Sequence, residues 1–411
     1  MILKQQFRSG FIYFLITAVL GFLLRLESTP FSIDLPTAYR FWVHTHSHIA
    51  LLGWVYLGLS SLLVYFFIDK SQSLKHYLKL FWATQFCILG MLICFPIQGY
   101  ALFSIIFSTL FLILSYIFFG FLLKHTQSRV RQKKSFLIIK WALLYMVLSS
   151  IGPWALGGIM VTLGNQSVWY KLSIYFYLHF QYNAWFILAA IGLLLFLLEK
   201  VNLQIEKKAF NKFFVLFNLG TIFSAFLSAL WAFSHWAIYG LANLGSLCLW
   251  VGLFYFWTSV KNPLKSFYKN QSSQTKFILI FLLGVFLLKF VMQSLGGIPY
   301  FVTITAINVD LVIGYLHWFF LGFISLFLLF MASYLRWIKL SNISLGLFVS
   351  GFLLTEISIF YRAGMAVFHF PMLPSLNIHI AAYSLLLVLS IFWILVESLL
   401  AKTKYSNPLE K

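Results

Sequence analysis

The feature that most limits this chain is a train of long apolar runs that no water-soluble fold could hide. Runs of membrane-spanning length fall near residues 10–25, 44–68, 78–95, 100–123, 136–161 and 169–198, then near 213–234, 237–260, 277–295, 308–335, 343–361 and 377–400. About 20 such residues cross the hydrocarbon layer as a helix. A helix satisfies its own backbone hydrogen bonds, as lipid requires, and continuous rather than alternating runs argue against a β-barrel. The predicted fold is therefore all-α, a polytopic bundle of twelve transmembrane helices in a lipid bilayer. Composition agrees, with 62% of the 411 residues hydrophobic and only 9% charged, where a soluble domain carries about 25% charged residues. Such hydrophobicity also excludes disorder. Phe11–Leu24 lacks a small-residue cleavage site and reads as a first anchor rather than a signal peptide. Cys87, Cys94 and Cys248 all lie in apolar runs, so neither a disulfide scaffold nor a CxxC metal site is available.

The loops carry a second constraint. Lys and Arg number 29 against 9 Asp and Glu, a formal charge of +20. Placed on the twelve-span scheme, 24 of the basic residues fall in the N-terminus, the even-numbered connections and the C-terminal tail. Only Arg25, Arg40, Lys171 and Arg362 fall on the opposite side, and Lys289 alone lies inside a span. That asymmetry predicts both termini in the cytoplasm, in a bacterial-type inner membrane. The charge is a topology signal, and no nucleic-acid partner is expected from it.

Histidines supply the candidate chemistry. His76 and His125 fall in the basic loops, whereas the other eight lie on the sparsely charged side or in the adjoining half of a span. His44, His46 and His48 open the second span, His179 lies in the sixth and His317 in the tenth. His235 ends the seventh, His369 is in the last outer loop and His379 opens the twelfth. Ionisable side chains within a membrane are costly and mark function by default. His48, His179 and His317 come from every fourth span, and their surroundings repeat. Gly53-Trp54, Ala184-Trp185 and Gly322-Phe323 follow them at +5 and +6, while Tyr177-Leu178 and Tyr315-Leu316 precede the last two. Ser150-Ile151-Gly152-Pro153 and Ser294-Leu295-Gly296-Gly297 also correspond loosely. The expectation is three pseudo-repeated four-helix units, near 1–124, 135–260 and 276–400.

Imidazole ligates copper and iron, including haem iron. His44 and His48, at i and i+4, share one helix face and His46 points away from it; an extended segment would instead turn all three the same way. The competing reading is that these histidines hydrogen-bond within the bundle as interhelical glue. Further polar groups lie in the spans: Lys289 and Gln293 one turn apart, Glu356 in mid-span, and Asp310 two turns before His317. Lys289 and Glu356 are read either as part of a proton path or as a buried ion pair fixing the packing, and Asp310 as an acceptor that could orient a ligand.

With these residues in view, the chain resembles the haem–copper oxidase subunit I superfamily, which has twelve helices, cytoplasmic termini, arcs of four helices and histidines toward the outer face. The segment HSHIALLGW, beginning at His46, resembles the HxH…LGW opening of NnrS-type haem- and copper-containing membrane proteins associated with nitric oxide stress. The resemblance implies haem ligands from His46 or His48 and from His317, with Arg362 as a propionate partner. It implies copper ligands from His179 and His235, with His44, His369 and His379 as further metal-ligand candidates and Tyr182 beside the sixth-span site. The chain departs from the oxidase pattern in three places, one being that the usual tyrosine spacing of the sixth helix is not reproduced, although Tyr182 lies nearby. Ser234-His235-Trp236 stands where an oxidase has a His-His pair, and the tenth span has one histidine where an oxidase has two.

The functional expectation is an integral membrane haem- and/or copper-binding protein in nitric oxide or oxygen chemistry, an oxidoreductase if it turns over. No C-x-x-C-H motif occurs, so haem would be b-type rather than c-type, and electrons would come from a donor subunit or a quinone. One alternative is a histidine-lined secondary transporter or metal permease. The inner halves of the spans, which read as nearly all apolar, count against it. Another is a non-catalytic haem sensor or assembly factor. No catalytic residue is assigned.

Overall fold

A computed structural model describes residues 2–201 and 203–400. Lys402, Lys404 and Lys411, part of the basic C-terminal tail, lie outside the described residues. Among those described, twelve helices are long and apolar enough to cross a membrane. We number them α1 (Ile2–Leu26), α2 (Tyr39–Phe67), α3 (Ser73–Gln98), α4 (Leu102–His125), α5 (Lys134–Thr162) and α6 (Val168–Lys200). The rest are α7 (Lys207–Ala229), α8 (Trp236–Lys269), α9 (Ser273–Leu295), α10 (Val309–Tyr334), α11 (Asn342–Val367) and α12 (Leu376–Leu400). The fold is an all-α polytopic membrane bundle.

Local chemistry sets the helix starts. A side-chain oxygen or nitrogen at the N-cap accepts from an otherwise orphaned backbone N–H. Ser167 does this for α6, Glu206 for α7, His235 for α8 and Ser272 for α9. Ser341 and Ser344 cap α11 reciprocally. Gly99 sits at φ +61 between α3 and α4, a conformation other residues seldom adopt.

The chain divides into two compact units, one of α1–α4 with α10–α12 and the other of α5–α9. The cuts fall at residues 125/126, directly after α4, and at 309/310, after the first residue of α10. In the first unit α1 packs against α2 and α12, α3 against α4, and α11 against α12. Its aromatic core is centred on Trp54, whose ring stacks on Phe14 at 4.6 Å and meets Phe7 and Phe11 edge-on at 5.7 Å. The Trp54 indole donates to Ser325 Oγ at 2.8 Å, which ties α2 to α10. In the second unit α7 pairs with α8 and α5 with α6. Gly245 there lets α8 lie directly against the backbone of Phe223 and Ser224.

Three helices share an irregularity. In α2, α6 and α10 the α-helix stops at His48, His179 and His317, and a π-helical stretch follows: Ile49–Tyr56, Phe180–Phe186 and Trp318–Ser325. Gly53-Trp54, Ala184-Trp185 and Gly322-Phe323 all lie inside these stretches. Ser325 Oγ donates to the carbonyl five residues back, Phe320 O, at 2.6 Å, giving a polar partner to one carbonyl of a widened turn. π segments are short and rare, and they recur at functional sites. Here each begins immediately after a histidine.

Candidate functional site

The first unit holds the densest polar cluster, and it is built from four helices. On α2, His46 turns toward α1, where its Nδ1 lies 3.0 Å from Thr17 O. A carbonyl can only accept, so Nδ1 carries the proton and Nε2 keeps its lone pair. Gly21, one turn further along α1, makes room for the ring, since a Cβ there would lie 2.9 Å from His46 Cε1. On α10, the His317 ring centre lies 6.4 Å from that of His46, with the planes at 81°.

His317 Nδ1 has two neighbours of opposite demand. Arg25 Nη2, from α1, is 3.3 Å away and can only donate. Glu356 Oε1, from α11, is 3.5 Å away. The first contact asks Nδ1 to accept and the second asks it to donate, so the charge on Glu356 bears on which nitrogen of His317 is free. Glu356 is fully buried, and neither of its oxygens has a hydrogen-bond partner.

Beside this cluster, Arg362 of α11 forks onto Asp310, with Nε to Oδ2 at 2.8 Å and Nη2 to Oδ1 at 2.7 Å. Its Nη1 donates to Asn377 Oδ1 at 2.9 Å, and Asn377 Nδ2 donates to Ser28 O at 3.2 Å. The fork thus joins α10 and α11, while Asn377 links them to α12 and to the loop after α1. Bidentate arginine–carboxylate pairs are among the stronger polar contacts.

His44 and His48 face away from His46, as their i, i+4 spacing in a helix requires. His48 Nδ1 donates to His44 O at 2.8 Å, which leaves Nε2 to accept from Tyr100 OH at 3.1 Å. The His44 ring meets Tyr100 edge-on at 4.7 Å. Both nitrogens of His48 are therefore used.

In the second unit His179 is buried and equally occupied. Its Nε2 donates to Thr221 O at 2.8 Å, and its Nδ1 accepts from Asn183 Nδ2 at 3.1 Å. Asn183 Oδ1 in turn accepts from Lys289 Nζ, which also donates to Gln293 Oε1. Lys289 is fully buried and its ammonium lies 4.2 Å from the Phe290 ring centre. Lys289 and Glu356 each find a partner within their own unit, Lys289 on amides and Glu356 beside His317. Tyr182 lies in the π stretch of α6, next to Asn183. Three more of the eight outer histidines are exposed: His235 Nδ1 caps α8 by accepting from Ala237 N, His369 sits in a loop at φ +57, and His379 stacks on Tyr383.

The structure thus brings His46 together with His317 and surrounds them with Arg25 and Glu356. Among the described residues, no group of three or more His, Cys, Asp or Glu side chains is arranged to hold a metal ion. Sequence reasoning did not single out Thr17, Tyr100, Asn183 or Asn377. Thr17 acts through a backbone carbonyl, which no residue pattern reveals. Asn183 had a signal in the sequence, at i+4 from His179 and hence on its face.

Fold and site together define a multi-pass membrane protein with a polar histidine cluster inside one helical unit. Compared with known protein families and with curated proteins, the sequence matches none.

Proposed function

We propose that the chain is an integral membrane haem protein of oxidase-like architecture, with His46 and His317 as the two haem ligands. One observation supports the reading above others: two partly buried histidines from different helices face one another, with each Nδ1 engaged by protein and each Nε2 free of any protein partner. The two ring centres lie 6.4 Å apart with the planes at 81°, a spacing at which the two free nitrogens would serve one metal ion. The donor set is two neutral nitrogens in an apolar bundle, which suits haem iron. A bound b-type haem would supply one-electron chemistry. Arg25 and Arg362 would pair with its carboxylates, Arg362 by exchanging part of its Asp310 fork.

The protein's own part is to hold the ligands in one tautomer and exclude water. Thr17 O orients His46, and Arg25 and Glu356 hold the His317 ring through its Nδ1. His179 and His235, engaged as core partner and helix cap, are less suited to a copper site than the resemblance implies. The role in nitric oxide or oxygen chemistry rests on the resemblance alone, as does an electron donor subunit or quinone. The asymmetry of Lys and Arg supports cytoplasmic termini in a bacterial-type inner membrane.

An absorption spectrum of detergent-purified protein from haem-replete cells, with metal analysis alongside, tests the proposal. Soret and α bands that sharpen on dithionite reduction are expected, and they should survive His76→Ala. A colourless, metal-free preparation would instead favour a histidine-lined transporter.

A further inference from the structure

On the lysine-rich side of the second unit, a cavity of about 510 Å³ opens between the start of α7 and the far end of α8. Its wall holds Lys208 and Lys212 from α7 and Lys261 from α8, with the amides of Gln204 and Asn262 beside them. Among the described residues, none of the three lysines forms an ion pair. Lys212 Nζ donates to Tyr255 OH at 3.5 Å, which leaves the hydroxyl proton of Tyr255 available. The one acid in the wall is Glu206, and its two oxygens are engaged by Lys208 N and Ala209 N. A proline keeps it there. Pro263 lies inside α8 and has no N–H, so Ser259 O loses its usual helical donor. Glu206 N donates to that carbonyl at 3.2 Å, and Lys134 Nζ, from α5, donates to Ile205 O. The loop before α7 is thereby fastened to two helices. One turn further in, Phe213 meets Phe256 at 4.8 Å and Gly252 lies against the backbone of Phe217, so α7 and α8 are in contact beyond the cavity.

We infer that this cavity binds a phosphate group, the chemistry shared by an acidic phospholipid headgroup and a soluble phosphate monoester. Three ammoniums against one carboxylate leave the wall formally two charges positive, and a phosphate monoester carries about −1.5 to −2 at neutral pH. Lysine binds phosphate as a point charge, and the Gln204 and Asn262 amides and the Tyr255 hydroxyl supply hydrogen bonds to its oxygens. A neutral ligand would leave the ammoniums unmatched. The level is also right for a headgroup. Lys212 is the last charged residue before the apolar run of α7, and Lys261 is the first after that of α8. Exposed Val215, Phe254 and Trp257 continue along the same runs, where acyl chains would lie. Basic pockets between membrane helices at this depth hold anionic headgroups. The site shares no residue with the histidine clusters and is independent of whether a haem binds.

Titration of the full-length protein in detergent, read by native mass spectrometry, tests this with two probes: short-chain phosphatidic acid and glycerol 3-phosphate. Phosphatidic acid should fill one saturable site. Lys208→Gln combined with Lys261→Gln should weaken that binding about 25-fold, roughly fivefold for each lysine lost. Lys75→Gln combined with Lys79→Gln removes the same charge from exposed positions on α3 and should leave the binding unchanged. Glycerol 3-phosphate separates the two sources. Affinity equal to that of phosphatidic acid would assign the site to a soluble phosphate, and a much weaker response would assign it to a lipid. Equal effects of the two double variants would overturn the inference, as would no binding of either probe. A short-chain fatty acid bound as tightly as phosphatidic acid would overturn it too, because any anion would then serve. Unfolding temperatures of both variants should match wild type, since only exposed side chains change, and so separate lost binding from lost fold.

Discussion

His179 and His317 occupy matching points in two different units: each closes an α-helical segment and each is followed at once by a π stretch. Their surroundings differ completely. His179 is locked, with a carbonyl on one nitrogen and an amide on the other, and the amide is itself pinned by a buried lysine. His317 has only Nδ1 engaged, by an arginine and a buried carboxylate. The same backbone device thus makes one histidine an internal strut and leaves the other with a nitrogen that no protein group engages. Position along a repeat does not decide a histidine's role; the donors and acceptors around it do.

The largest effect that would sharpen this contrast is expected from Asn183→Leu. It strips an acceptor from Lys289 and a donor from His179, leaving both buried, and should destabilise the second unit by roughly 3–5 kcal/mol. Thermal unfolding in detergent reads it. Adding Lys289→Met should restore much of the loss, because an apolar replacement no longer buries an unpaired cation. If the single variant were neutral, the strut reading of His179 would be wrong.

Next comes the histidine pair itself. His179→Ala removes two buried hydrogen bonds and opens a cavity, for about 2–4 kcal/mol. His317, 25% exposed and with a single engaged nitrogen, should cost under ~1 kcal/mol when truncated. Equal losses in unfolding temperature would break the comparison. Arg362→Met should fall between these, at roughly 1.5–3 kcal/mol, since it unties a charge-assisted fork that is only partly exposed.

The smallest effect concerns Glu206, outside the spans. Its carboxylate accepts from Lys208 N at 2.7 Å and Ala209 N at 2.5 Å, which holds its pKa below the usual carboxylate range. A depressed folded-state pKa contributes stability that is present above the unfolded value and is lost as pH falls through the folded one. Glu206→Gln should therefore lower the unfolding temperature slightly at neutral pH, and the difference should vanish on acidification. A difference that grew toward acid would contradict the cap.

The fold was legible because lipid leaves so few choices: continuous apolar runs and one-sided lysines predict twelve membrane-spanning helices, and the described residues hold twelve long and apolar enough to cross a membrane. The α-helical spacing of His44, His46 and His48 also predicted that His46 would turn away from its neighbours, and it does. The π stretches left only an indirect trace, the small-aromatic pairs at +5 and +6, because an added residue per turn changes no composition. The partners of each histidine were less legible still. Thr17 contributes a carbonyl, and Glu356 reaches His317 from a helix 39 residues on in sequence.

The central claim is that His46 and His317 hold a haem while His179 holds up a fold. Reduced-minus-oxidised difference spectra of wild type, His46→Ala, His317→Ala and His179→Ala, purified in parallel, test it most directly. The account predicts Soret and α bands in wild type and in whatever His179→Ala protein remains folded, and their loss in the other two at undiminished yield. Bands that vanish only in His179→Ala, or that persist in both His46→Ala and His317→Ala, would contradict it.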